Sequence, residues 1–258
     1  MKKFLILISA AMLLFSTPAF ALFINGGFED GNFNGWTTTY GYRNPSSSAI
    51  TWGATANPYG NIAPGIWDSS SAFSTQTLDI DPYNGTYMAR INNSDGYYHV
   101  TKLSQTDSIT QQDINDGGMI YVNWGAALVE PSNTHDVASQ PYFSISISIG
   151  GSLVDNFQAD AATKQGGGWQ AAGNDGGTIW YKAGQYNYDL TSYAVGTAVT
   201  VEMYVSDCAW GGHGGYAFLD GVGTTYVPPP DVVPEPATML LLGSGLICFA
   251  GLRRKFKK

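Results

Sequence analysis

Tyr142-Phe143-Ser144-Ile145-Ser146-Ile147-Ser148-Ile149 alternates apolar and polar residues without a break. Successive side chains of a strand point to opposite faces, so Phe143, Ile145, Ile147 and Ile149 line one face and Ser144, Ser146 and Ser148 the other. Gly150-Gly151 follows at once and supplies the positive φ angles of a two-residue hairpin turn. Ser152 to Ala159 is therefore expected to return antiparallel. Ala198 to Val205 repeats the pattern, with Val199, Val201, Met203 and Val205 inward and Glu202 outward.

Further strands are predicted over Thr86 to Ile91, Tyr98 to Leu103, Met119 to Leu128 and Tyr216 to Val222. Away from the two ends of the chain no window of a dozen residues has a 3.6-residue apolar period, and the 32 glycines favour loops over helices. Many short strands joined by Gly/Asn/Asp/Ser loops predict an all-β fold, an antiparallel β-sandwich of the jelly-roll type. No internal repeat divides residues 22–227, which are read as one domain.

The ends are different. Residues 1–21 carry Lys2 and Lys3, an apolar run and the small-residue exit Ala19-Phe20-Ala21, the layout of a secretory signal peptide cleaved after Ala21. Residues 228–236 are a proline-rich linker ending in Pro234-Glu235-Pro236, with polyproline II character. From Ala237 to Leu252 there are 16 residues without a charge, about 24 Å as a helix, which is short for a permanent transmembrane helix. Basic residues including Arg253, Arg254 and Lys255 close residues 237–258, and the positive-inside rule puts that tail in the cytoplasm.

Val233-Pro234-Glu235-Pro236, the apolar run and Arg253-Arg254-Lys255, in that order and behind a signal peptide, resemble the PEP-CTERM sorting signal of Gram-negative bacteria that make extracellular polysaccharide. The resemblance implies recognition by an exosortase, a membrane cysteine protease, with cutting near Pro234-Glu235-Pro236. The chain would then be anchored transiently in the inner membrane before reaching the cell surface or an extracellular matrix.

Between Leu22 and Pro236 only Arg43, Arg90, Lys102, Lys164 and Lys182 are basic, against all 20 acidic residues. Such a chain lacks the clustered cations that nucleic acid requires and suits hard cations such as calcium. Cys208 is the one thiol outside the apolar tail. It is either a small buried hydrophobe or one half of an intermolecular bridge.

Asn25-Gly-Gly-Phe-Glu-Asp-Gly-Asn-Phe-Asn-Gly-Trp36 and Tyr216-Ala-Phe-Leu-Asp-Gly-Val222 resemble the first and last strands of carbohydrate-binding modules with a galactose-binding-like jelly roll. That resemblance implies adjacent first and last strands and a structural Ca2+ held by Glu29 and Asp220, with Asp30 helping. The alternative is that these carboxylates satisfy main-chain N–H groups at the sheet edge. Asp207-Cys-Ala-Trp-Gly-Gly-His-Gly-Gly-Tyr-Ala-Phe-Leu-Asp220 is similar to a run near the end of some bacterial cell-surface and adhesin domains. Cys208 and His213 lack a CxxC or HxH partner, so a loop-locking histidine is expected there rather than a metal ligand.

Seven tryptophans and 16 tyrosines supply faces suited to pyranose rings. Trp124 is expected in the core. Trp52, Trp67, Trp169 and Trp180 stand among glycines and asparagines and are the expected exposed, ligand-binding platforms. No close carboxylate pair of glycosidase type, G-x-S-x-G or H-E-x-x-H motif is present, so no catalytic residue is assigned and the chain is not read as an enzyme. The expected function is an exported, biofilm-associated surface or matrix protein that binds polysaccharide. The alternatives are a structural or adhesive protein that binds no sugar, and a glycan hydrolase.

Overall fold

The computed structural model describes residues 22–71, 80–93, 96–131 and 135–224. The signal-peptide exit at Ala19 and Ala21, the linker, Pro234, Glu235, Pro236, the expected transmembrane helix and Arg253, Arg254 and Lys255 lie outside the described residues. Among the described residues no helix is long and apolar enough to cross a membrane.

The chain forms two six-stranded antiparallel sheets. The first has the order β2 (Ile50–Trp52), β1 (Thr37–Arg43), β5 (His99–Ser108), β11 (Ala198–Ser206), β7 (Tyr142–Ile149) and β8 (Ser152–Asp160). The second has the order β3 (Gly65–Trp67), β4 (Met88–Asn93), β12 (Gly215–Gly223), β6 (Met119–Pro131), β10 (Gly177–Asp189) and β9 (Gln170–Asn174). One short helix, α1 (Gln111–Asn115), is closed by a capping box in which the Thr110 side chain and Asp113 each satisfy the other's main-chain N–H.

The alternation read from the sequence builds the core. Phe143, Ile145 and Ile147 of β7 are fully buried beside Val199, Val201, Met203 and Val205 of β11, which pairs with it residue for residue. Facing them from the second sheet are Ile120, Val122, Trp124, Ala126 and Leu128 of β6 and Ala217 and Leu219 of β12. Gly150 and Gly151 take φ of +58° and +79°, and β8 returns antiparallel as expected. Trp124 stacks on Phe143 and Phe157, and it reaches over Gly184 of β10, where a Cβ would come within 2.6 Å of the indole.

A second apolar layer covers the outer face of the second sheet. Tyr216 and Phe218, on the face of β12 opposite Ala217 and Leu219, pack with Ala127, Val129, Ile179, Met88, Trp67 and Ile80. The Trp67 indole donates to the Ile80 carbonyl, and the Tyr83 hydroxyl donates to the Trp124 carbonyl. The outer face of the first sheet has no such roof among the described residues; it carries Lys102, Ser104, Thr106, Thr200, Glu202, Ser146 and Ser148.

Two expectations need correction. The opening stretch is not a strand: residues 25–35 run through turns, with Asn25 and Phe28 at positive φ, and Phe28 and Trp36 fold back on each other. Gly26 nevertheless lies against the last strand, its carbonyl accepting from the Val222 N–H at 3.0 Å. A side chain there would strike the Val222 carbonyl, which explains the glycine. The first strand proper, β1, belongs to the other sheet from β12, so the two are not neighbours.

Candidate functional site

The unroofed sheet carries a cleft of about 390 Å3 lined by Arg43, Ser48, Ile50, Trp52, Tyr142, Glu202 and Tyr204. Its aromatic wall follows from strand register. Trp52 sits opposite Gly41, and a Cβ at Gly41 would come within 3.1 Å of the indole, so the glycine lets the ring lie across β1. Tyr204 meets Trp52 edge-on at 5.6 Å and Tyr142 at 6.0 Å. Lys102, opposite Tyr204, places its ammonium 4.7 Å from the Trp52 ring and 2.9 Å from Glu202 Oε2. Burial pushes the Tyr142 and Tyr204 phenols up, so both stay protonated as hydrogen-bonding hydroxyls.

Arg43 forms the buried end of this cleft. Its guanidinium donates to the carbonyls of Ala138, Gln140 and Asp207 and to Ser206 Oγ. Burial lowers its pKa, while Cys208 is the first of the neighbours that oppose the shift. The cleft floor is thereby tied to the β6–β7 and β11–β12 loops. Asp207, buried behind it, accepts from Asn92, Gly215 and the His99 main chain and side chain.

The four tryptophans expected as platforms separate. Trp52 is 39% exposed and belongs to the cleft, though on β2 rather than a loop. Trp67 is a correction: on β3 and only 6% exposed, it anchors the roof of the second sheet. Trp180 is also corrected from loop to strand, because β10 continues through it. It is partly buried, its indole donates to Glu130 and Lys164 lies 4.5 Å above the ring. Trp169 is partly buried against the inter-sheet core, with its indole donating to the Gln165 carbonyl. Trp210, not singled out from the sequence, is 60% exposed.

At the opposite end of the sandwich the structure brings Glu29 and Asp220 together. Glu29 accepts from the Thr86 and Tyr87 N–H groups, and Asp220 from those of Asn84 and Gly221. Burial raises the Asp220 pKa to about 7, with main-chain donors opposing the shift and the Glu29 charge adding to it. All four oxygens of the pair thus face N–H dipoles, and Asp30 is exposed within its own loop. The residues fit the anchoring of the 84–87 turn better than the cage of six to eight oxygens that calcium takes.

The C-terminal stretch from Val233 to Lys255 falls within residues 232–255, which match the family model described as the PEP-CTERM protein-sorting motif. The chain carries this sorting signal. The motif indicates a secreted protein with a transient membrane anchor. No curated protein matches the chain. Solved structures similar to it include the carbohydrate-binding module TmCBM61 in complex with β-1,4-galactotriose, at 14% identity and a TM-score of 0.38, covering 79% of this chain and 96% of that one. Another is Caldicellulosiruptor saccharolyticus CBM27-1 in complex with mannohexaose, at 13% identity and a TM-score of 0.31, covering 63% and 96%. A third is the enzymatically active domain of tailspike protein 4 of bacteriophage CBA120, at 11% identity and a TM-score of 0.37, covering 80% of this chain but 22% of that one.

A further cluster lies where β6, β10, β11 and β12 meet their loops. Cys208 is fully buried, as one of the two sequence readings expected. His213 locks its loop, its carbonyl accepting from the Cys208 N–H and its ring hydrogen-bonding the Gly176 backbone. The sequence did not reveal the third member, His135 of the β6–β7 loop, whose ring lies 5.0 Å from that of His213.

Proposed function

We propose that this PEP-CTERM protein is a cell-surface or extracellular-matrix component, released by an exosortase, whose sandwich binds polysaccharide in the Trp52–Tyr204 cleft. The observation that carries the reading is the cleft itself. An indole and two phenols stand beside a carboxylate, an ammonium and Ser48, the mixture of apolar faces and polar handles that holds a sugar ring. The acidic composition favours neutral or cation-bearing glycans over strongly anionic ones. No catalytic role is assigned, since no carboxylate pair converges on the cleft, where Glu202 is the single acid.

The test is retention of the purified protein on immobilised glycans, with the producing organism's own extracellular polysaccharide among them. Trp52→Ala and Tyr204→Ala are expected to weaken binding at least tenfold, roughly the 1.4 kcal/mol or more that a lost ring contact costs. Trp169→Ala is expected to leave it unchanged. The second reading, an adhesive or structural protein without sugar binding, is favoured by the Ser/Thr-rich remainder of the same face, where Thr106 and Thr200 pair their hydroxyls at 2.8 Å. A folded protein that no glycan retains would select it.

A further inference from the structure

We propose that His135, Cys208 and His213, none of which lines the glycan cleft, form a binding site for a borderline-soft transition-metal ion such as Zn2+. One ligand atom from each residue lies within 4.8 Å of the others, and among the described residues this is the one group of three or more His, Cys, Asp or Glu side chains that converges in this way. Cys208 Sγ and His213 Nδ1 are 3.6 Å apart. That is about the edge expected of a tetrahedron with a Zn–S bond of about 2.3 Å and a Zn–N bond of about 2.0 Å.

The surroundings suit a metal better than a plain packing role. His135 Nδ1 is shielded from solvent and has no hydrogen-bond partner among the described residues, which is costly for a buried polar atom. A cation bound there would remove that cost. The His213 ring faces Cys208 with Nδ1 and hydrogen-bonds the Gly176 backbone, the kind of outer contact that orients a ligating imidazole. The Gly212 N–H donates to Cys208 Sγ at 3.3 Å, and the Arg43 charge lies near the same sulfur.

Main-chain hydrogen bonding ties the ligand loops together. The Ala209 N–H donates to the Ser139 carbonyl, joining the two ligand loops, and Trp210 stacks on His135 at 5.7 Å. A thiolate with two imidazoles selects zinc or copper over calcium and magnesium. On binding, Cys208 releases its proton to solvent, and three protein ligands leave a fourth position for water or a ligand from outside.

The experiment is titration of the full-length, untagged, reduced protein with Co2+ as an optical probe, followed by displacement with Zn2+. The expected result is one equivalent bound, with a near-ultraviolet thiolate-to-cobalt charge-transfer band and the intense visible bands of a tetrahedral ion. Cys208→Ser should abolish the charge-transfer band, and His135→Gln should weaken binding by well over the roughly 10- to 100-fold of an outer-shell change. Near-ultraviolet circular dichroism checks that each variant is folded. Absence of the band in folded wild-type protein would overturn the site, as would equal affinity in folded His135→Gln. Glycan retention is read separately, so failure of either proposal leaves the other standing.

Discussion

Asp220 shows how a single side chain couples this fold to pH. Its ordinary pKa would be about 3.9 and burial raises it to about 7, so between those values the folded state keeps a proton that the unfolded chain has lost. Stability from this group is therefore greatest below about pH 4, falls as pH rises towards 7 and is level above, by at most about 1.4 kcal/mol per pH unit. Urea midpoints measured from pH 4 to 8 should show this decline in the wild type, and Asp220→Asn should remove its upper part, between about pH 6 and 7, leaving below that the decline from Asp207, which burial raises to about 6. A slope between about pH 6 and 7 that survives the substitution would assign the titration there to another group. Individual residues were also where sequence reading reached its limit. Cys208 is buried, one of the two readings its sequence allowed, yet His135 carries no spacing signal, because a partner from a distant loop is brought in only by tertiary structure. Trp67 misled because short β3 looks like loop, whereas its ring is placed by a roof that no local pattern announces.

Among the elements, β7 and β11 were legible because the sheet buries one face completely and leaves the other polar, which imposes the two-residue period on the sequence, and the edge strand β8 because the Gly150-Gly151 turn returns the chain against β7. Ile147 of β7 is fully buried between β8 and β11, so Ile147→Ala should cost about 2–5 kcal/mol in denaturant unfolding, against little for Ser148→Ala on the outer face. Comparable losses at both positions would contradict the assigned faces. β10 was missed although it is one of the longest strands. It lies between β6 and the edge strand β9, most of its 13 residues are only partly buried, and it contains Gly177 and Gly184, so its apolar alternation never develops. β1 escaped for a related reason: Thr-Thr-Thr-Tyr-Gly-Tyr-Arg stays partly open over its first four residues, and its arginine is buried through hydrogen bonds rather than apolar packing.

For the whole molecule, the sandwich and the sorting signal make separable demands. Replacing Pro234, Glu235 and Pro236 with alanine should leave the fold intact while holding the protein in the membrane fraction of exosortase-bearing cells; release equal to wild type would reject processing at that triplet. The β class and the sandwich were readable from alternation and turns, whereas the partition of strands between sheets was not, since pairings such as β4 with β12 depend on contacts far apart in the chain. The apolar roof over the second sheet has a consequence of its own. Among the described residues one broad face is covered by apolar side chains and the other is not, so the two differ like the glazed and unglazed sides of a tile. If sugar is held only in the Trp52–Tyr204 cleft, one copy takes one strand, and linking two strands needs two copies. Gelation of a polysaccharide should then rise more steeply with protein concentration than coating does.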